Sequence, residues 1–485
     1  MLRLLLFSLL SLGVAGQASA WQPPPGGGGG FGGGAGNGVL IDANGAITAR
    51  YDKKLGSKLE ADRLAAFSAD ALPADLNAAS DARKVSLVKL EAALRERLDA
   101  GEEPDAAMNN LAGLTRIDAV LVKPATDAAP GDLVLVGPAG GFAVDVLGRT
   151  VSTADAPHGG RPTLQLLDLL AAVRGGDPRQ GGSIGCSIDP VPQRQAQMAQ
   201  ATASLGSVRS VSQAAGIYRK LAGILGDQNV RIWGVPPGSH FGVAMLEADY
   251  RMKLISLGLE PSGVKQVPSH LALIAPGGNS VQRFYLTDAY EPVVVNADRT
   301  AFALAGPRMR VVTEDQILNA DGTIRDAGSR GAPNAEWAKR FSDNMDAVCS
   351  VRPAFAKLQN LYDLAVAAEL IRAERLAEKA GWSPTTFNDS AALPVPVGPV
   401  PKTVPTAFNV RRTPRTVIGL IIQVLQLCEG RADGADRIHV VGKPPRPFRI
   451  RRPAAAGVAD GPVGVQNLVL GDDPHPRTGE GEGRA

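Results

Sequence analysis

The stretch "MLEADYRMKLISLGLE", residues 245–260, constrains the fold more than any other part of the chain. On a helix of about 3.6 residues per turn it carries two apolar stripes. Met245, Ala248, Met252 and Ile255 form one, and Leu246, Tyr250, Leu254 and Leu257 form the other. A surface helix needs only one stripe, so two predict cover on opposite sides, a sheet on one and another helix on the other. Polar strips run between them, with Glu247 and Arg251 in one and Asp249, Lys253 and Ser256 in the second. Each acid stands four residues before its base, the favourable direction for a helical ion pair. At the seams of a layered core such charges must pair, because an unpaired buried charge is costly. The expectation is a structural role for Glu247, Asp249, Arg251 and Lys253, with a catalytic acid–base site as the alternative.

The surrounding segments supply candidate layers. "DARKVSLVKLEAALRERLDAG" reads as an amphipathic helix stopped by Gly101, and "RPTLQLLDLLAAVRGG" as a helix with Thr163 as its cap. "GSIGCSID" and "VRIWGV" read as buried strands, each followed by a helix, which is the alternation of an α/β layer. "LALIAP", "RFYLTD", "EPVVVN", "AFALAG" and "RMRVVTE" read as an antiparallel meander. Long helices follow at residues 334–349 and 353–380. The fold class is therefore α/β to α+β, a mixed sheet with packed helices. Near the start, "VLIDANGAITAR" holds an Asn-Gly turn between alternating runs and predicts a hairpin. "TVIGLIIQVLQLC" reads as buried strand, with helix as its alternative.

Both ends look different. "MLRLLLFSLLSLGVAGQASA" has an early Arg3, an apolar run too short to span a bilayer, and Ala18-Ser19-Ala20 at its end. It predicts a cleaved signal peptide and an exported mature chain, in the periplasm or at the cell surface, with no transmembrane span. The layout expected is a signal at 1–20, a Gly/Pro-rich flexible leader at 21–37, a hairpin, helix and strand-rich region at 38–155, and a core at 156–380. A proline linker at 381–405, a strand-rich segment at 406–441 and a disordered tail at 442–485 complete it. Glycine and proline are abundant, at 56 and 36 residues, which fits long loops and tails. The net charge of +3 is too near neutral to argue for a nucleic-acid partner.

The motifs that carry chemistry are sparse. "LVLVGPAGG" has neither the dinucleotide nor the Walker order of glycines, so no cofactor is expected. The five histidines lack ligand-like spacing and the three cysteines are far apart, so no metal is expected either. Ser239-His240 and Ser269-His270 are neighbours in sequence, which does not make a catalytic pair; Ser239 reads as a helix cap after Pro-Pro-Gly. An oxidising compartment allows one disulfide, with Cys349 and Cys428 as its candidates and Cys186 left reduced in a buried strand. Three small buried hydrophobes is the alternative. "RPFRIRRP", residues 446–453, is a solvated basic tail or a contact for an anionic polymer or other envelope component.

The collinear series "RPTLQLLDLLAAVR", "IGCSIDP", "VRIWGVPPGSHF", "LEADYRMKLISLGLEP", "RFYLTDAYEP", "FALAGPRMRVVTEDQIL" and "LQNLYDLAVAAELI" resembles the planctomycete exported proteins of domain of unknown function 1598. The resemblance runs over residues 38–380, and "ADYRMK" at 248–253 is its most specific element. It implies export and no particular activity. Arg283-Phe284-Tyr285-Leu286 stands where that family tends to show a tryptophan-rich run, and the C-terminal tail is unlike it. The functional expectation is a non-catalytic binding or envelope-associated protein. An exported enzyme, a hydrolase with an unrecognised site, is the alternative.

Overall fold

Two short alternating runs flank Asn44-Gly45 and pair with each other. β1 (Gly38–Ile41) and β2 (Ile47–Arg50) form an antiparallel hairpin with Gly38 opposite Arg50. The computed structural model describes residues 38–422 apart from 42–46, 51–52, 146–147, 155–159, 177–183, 205–209, 275–280, 283, 314–315, 319–323, 327–331 and 413–416. The expected signal peptide, leader, hairpin turn, basic cluster, Cys428 and tail therefore lie outside the described residues. The chain divides into two units, residues 1–59, which hold the hairpin, and residues 60–485.

The second unit is built on mostly antiparallel sheets. β3 (Ser80–Ser86), β4 (Ala119–Lys123), β5 (Asp132–Ala139), β12 (Val294–Val295) and β13 (Ala301–Ala303) join in the order β12-β13-β4-β5-β3. β6 (Phe142–Val144) pairs with β7 (Thr150–Ser152). β8 (Gly185–Asp189), β9 (Asp227–Trp233) and β17 (Thr403–Pro405) form a second antiparallel sheet in the order β17-β9-β8. β11 (Phe284–Ala289) pairs with β14 (Arg308–Thr313), and β15 (Gln316–Leu318) with β16 (Ile324–Asp326). β10 (Val281–Gln282) lies parallel to β19 (Val417–Ile422), which also takes β18 (Phe408–Arg412) antiparallel. The mixture of helices with largely antiparallel sheets is an α+β fold.

Several local expectations change. β8 and β9 are not a parallel α/β pair, because two helices, Pro192–Ala203 and Val211–Leu225, separate them and return the chain in the opposite sense. The strands after residue 280 do not form a sequential meander. β12 and β13 leave for the larger sheet, where Phe302 is buried opposite Val120, and β14 comes back to β11. The described part of "LALIAP", residues 271–274, is not a strand. Ser269 caps a short helix, His270–Leu273, by accepting from the Ala272 N–H. The helix expected from residue 81 begins only at Leu87. Ser86 accepts from the Lys89 N–H and donates to Asp132, so the residues before it stay in β3. Thr163 does not cap the helix Leu166–Arg174; its hydroxyl donates to Asn110 instead.

One hydrophobic cluster runs through the second unit, from Val85 to Leu393. The helix Pro353–Ala373 is its axis, with Phe355, Leu364, Ala367 and Leu370 fully buried. The expected continuous helix over 353–380 ends at Ala373, because Arg375 takes φ of 53° before a final turn, Leu376–Lys379. The segment 381–405 is extended in part, as its prolines require, yet it is docked. Glu91, itself buried, accepts from Trp382 Nε1 and from the N–H groups of Thr386 and Phe387 at 2.6–3.0 Å. Arg174 donates to the carbonyls of Phe387, Asp389 and Leu393.

Candidate functional site

The doubly striped stretch lies in the helix His240–Leu257. Ser239, with no exposed surface, caps it by accepting from the Gly242 N–H and donates to the Pro236 carbonyl. Gly258, at φ of 73°, closes it in the left-handed region that suits glycine. Met245, Ala248, Met252 and Ile255 enter the main core, and the helix packs on Pro353–Ala373. On the other side Leu246 and Tyr250 pack with Ile188 of β8 and Val230 of β9.

The four charged residues form two unequal pairs. Lys253 Nζ donates to Asp249 with both side chains almost fully covered, 6% and 12% exposed. Arg251 bridges Glu247 and Glu260 at 2.8 Å each, with the Arg251 and Glu247 side chains about two-fifths exposed. Glu260 also accepts from Arg352 at 2.8 Å. Two further groups approach the covered pair. Cys186 is a free thiol on β8, partly exposed rather than in the buried strand expected, because β8 is the edge of its sheet. Desolvation still raises its thiol above the usual range; the Asp249 charge adds to this and Lys253 opposes it. Burial likewise raises the Tyr362 phenol, helped by Asp288, Cys186 and Asp249. A protonated thiol is neither nucleophile nor metal ligand. The chemistry here is mutual neutralisation along one helix and at its end.

A second constellation sits at the start of the same helix. His240 Nδ1 lies 2.8 Å from Oδ2 of Asp168 on the helix Leu166–Arg174. The Asp168 side chain is 5% exposed and that of His240 45%. A covered carboxylate thus orients a half-exposed imidazole, the arrangement of a general base. Among the described residues no hydroxyl or thiol hydrogen-bonds the ring, and Ser239 is committed to its cap.

A third lies in the core. Asp363, with no exposed surface, accepts from the Ile117 N–H at 2.8 Å and from the Tyr290 hydroxyl. Arg308 Nε stands 3.3 Å from it. Burial raises the Asp363 carboxyl; Arg308 and Arg116 work in the opposite direction.

Asp168, Asp363, Tyr290 and Arg308 were not singled out from the sequence. The usable signal was an acid inside an apolar helical run, "LLDLLAA" and "LYDLAVAA", since lone carboxylates are seldom fully buried without partners. Cys349 is 2% exposed, and burial pushes its thiol up to about 12 with Arg161 opposing; its expected partner Cys428 is outside the described residues. Among the described residues no group of His, Cys, Asp and Glu could hold a metal ion, and no helix is long and apolar enough to cross a membrane. No curated protein matches the chain, and no solved structure does. Residues 186–270, from β8 through the charged helix to His270, match the family described as protein of unknown function (DUF1598).

Proposed function

We propose that this is an exported, non-catalytic protein of planctomycete type that binds a partner in the cell envelope. One observation carries the reading. In the stretch that matches the family, the helix's acids and bases answer one another, Asp249 with Lys253 and Glu247 and Glu260 with Arg251. These groups serve the packing of a helix between two layers rather than a reaction. The export part rests on the first 20 residues, whose apolar run and Ala-x-Ala end suit a cleavable signal. The basic run at residues 446–453 gives the tail an affinity for an anionic envelope polymer. Fractionation of the host followed by mass spectrometry tests the reading. The expected species begins at Trp21, lies outside the cytoplasm and co-purifies with envelope material. A cytoplasmic chain that retains Met1 overturns it.

A second reading, an exported hydrolase, is favoured only by the Asp168–His240 pair. Turnover of ester, amide or glycoside probes that disappears in His240→Gln would put this reading first.

A further inference from the structure

Among the described residues, the core beside the long helix holds two buried guanidiniums, Arg161 and Arg308, against one fully buried carboxylate, Asp363. Three arginines reach this region from different segments. Arg308 opens β14 at φ of 67°, a backbone region that strains a non-glycine residue. That strain aims a guanidinium with 2% exposure at Asp118, the Ile117 carbonyl and Asp363. Arg308 is thereby balanced, but its Nη1 has no hydrogen-bond partner and its Nε only the 3.3 Å ion-pair contact with Asp363.

Arg161 is 7% exposed, and among the described residues its side chain donates from Nη2 to the neutral Oε1 of Gln359, at 2.6 Å. Its Nε is buried and unpartnered. Arg116, on the segment before β4, is partly exposed, and its buried Nε is unpartnered as well. Hydrogen bonds gather the three around Asp363: Arg161 holds Gln359, one turn before Asp363, Gln359 donates to the carbonyl of Pro307 beside Arg308, and Arg116 precedes Ile117, whose N–H binds Asp363. Desolvation lowers the Arg161 pKa and the Arg116 charge adds to this, against the pull of Cys349, Asp346 and Asp363. Asp363 cannot answer all three cations, because its oxygens already serve Ile117, Tyr290 and Arg308. Asp118 is half exposed and paired to Arg308, and Asp346 is exposed.

A buried guanidinium with only a neutral partner and a like charge beside it is unfavourable. An anion shared between Arg161 and Arg116 removes the repulsion and satisfies the idle N–H groups. Guanidinium forks fit the paired oxygens of carboxylates and phosphates. We propose that Arg116, Arg161 and the free edge of Arg308 bind a small oxyanion, the carboxylate or phosphate group of a ligand. The partly exposed Arg116 marks the side from which it enters. The proposal rests on the binding reading above and names the chemistry of what is bound.

Thermal unfolding of the purified full chain tests it. Inorganic phosphate and acetate are titrated separately against sodium chloride at matched ionic strength. The expected result is a saturable rise in Tm of about 3 °C or more with one of the two. Phosphate as the effective probe identifies a phosphoryl ligand, and acetate a carboxylate. Arg116→Gln and Arg161→Gln are expected to abolish the saturable part. The unsaturable rise that excluded salts give to any protein remains in both variants. No saturable rise with either probe overturns the proposal, and so does a rise undiminished in Arg116→Gln. Should Arg161→Gln fail to fold, the variant at the partly exposed Arg116 decides. Export is read separately in the host, so either reading can fail alone.

Discussion

His270 shows how a single side chain ties stability to pH. It has no exposed surface and stands edge-on to Phe284 and Trp337, with ring centroids 5.1 and 6.3 Å away. Desolvation lowers its pKa from 6.5 to about 4, and the Asn334 side chain works weakly the other way. The folded chain therefore keeps this imidazole neutral where the unfolded chain would protonate it. The resulting stability is fully present above about pH 6.5, declines as pH falls and stops changing below about pH 4. Denaturant unfolding at about pH 7 and about pH 4.5 should show the wild type losing roughly 2–3 kcal/mol more than His270→Gln. Equal losses in the two chains would rule out His270 as the source. Nothing in "PSHLALIAP" announced this environment. The aromatic partners come from β11 and from the helix Ala332–Asp343, and apolar spacing does not say which distant ring a side chain will meet.

Among the elements, the helix His240–Leu257 was the most legible. Its two stripes and its acid-to-base spacing are local properties, and periodicity reports local properties well. The cap at Ser239 was legible for the same reason, since Pro-Pro-Gly before it cannot continue a helix. Burial was not legible, because it depends on what lies over each seam. Asp249 and Lys253 are covered, whereas Arg251 remains two-fifths exposed. The two pairs should respond differently. Asp249→Ala leaves a covered ammonium without its partner and is expected to cost about 3–5 kcal/mol. Arg251→Ala removes a half-exposed bridge and leaves Glu260 with Arg352, so about 1 kcal/mol is expected. Chemical denaturation of both variants checks the difference. Equal losses would mean that the two seams are equally buried, and no loss in Asp249→Ala would remove the structural role of that pair. Elements whose ends are set by tertiary bonds were read less well. The start of the helix at Leu87 depends on Ser86 reaching Asp132, 46 positions away, which no local pattern encodes.

For the whole molecule, the question is where the cooperative unit ends. Composition marked residues 381–405 as a linker, since proline and valine alternate there without a helical period. Proline governs backbone shape, not docking, and the segment is fastened at several points. Phe387 and Leu393 belong to the main core, and Trp382 and residues 386–387 satisfy Glu91. Arg174 loses three carbonyl partners without residues 387–393. β17 covers the edge of β9 with Thr403 opposite Asn229, and Ile418 and Leu420 of β19 pack on Leu257, Leu271 and Ile274. Deleting everything after Ala380 would thus strand a buried carboxylate, open a sheet edge and uncover two apolar clusters together. Each of these costs a kilocalorie or more, against a total stability of only about 5–15 kcal/mol for a typical domain. A chain ending at Ala380 is expected to lose its cooperative thermal transition, while a chain ending at Ile422 keeps one. Calorimetry of the two truncations decides the matter. A sharp transition in the shorter chain, close to that of the longer one, would mean that the core closes before residue 381 and that the docked segment only decorates it.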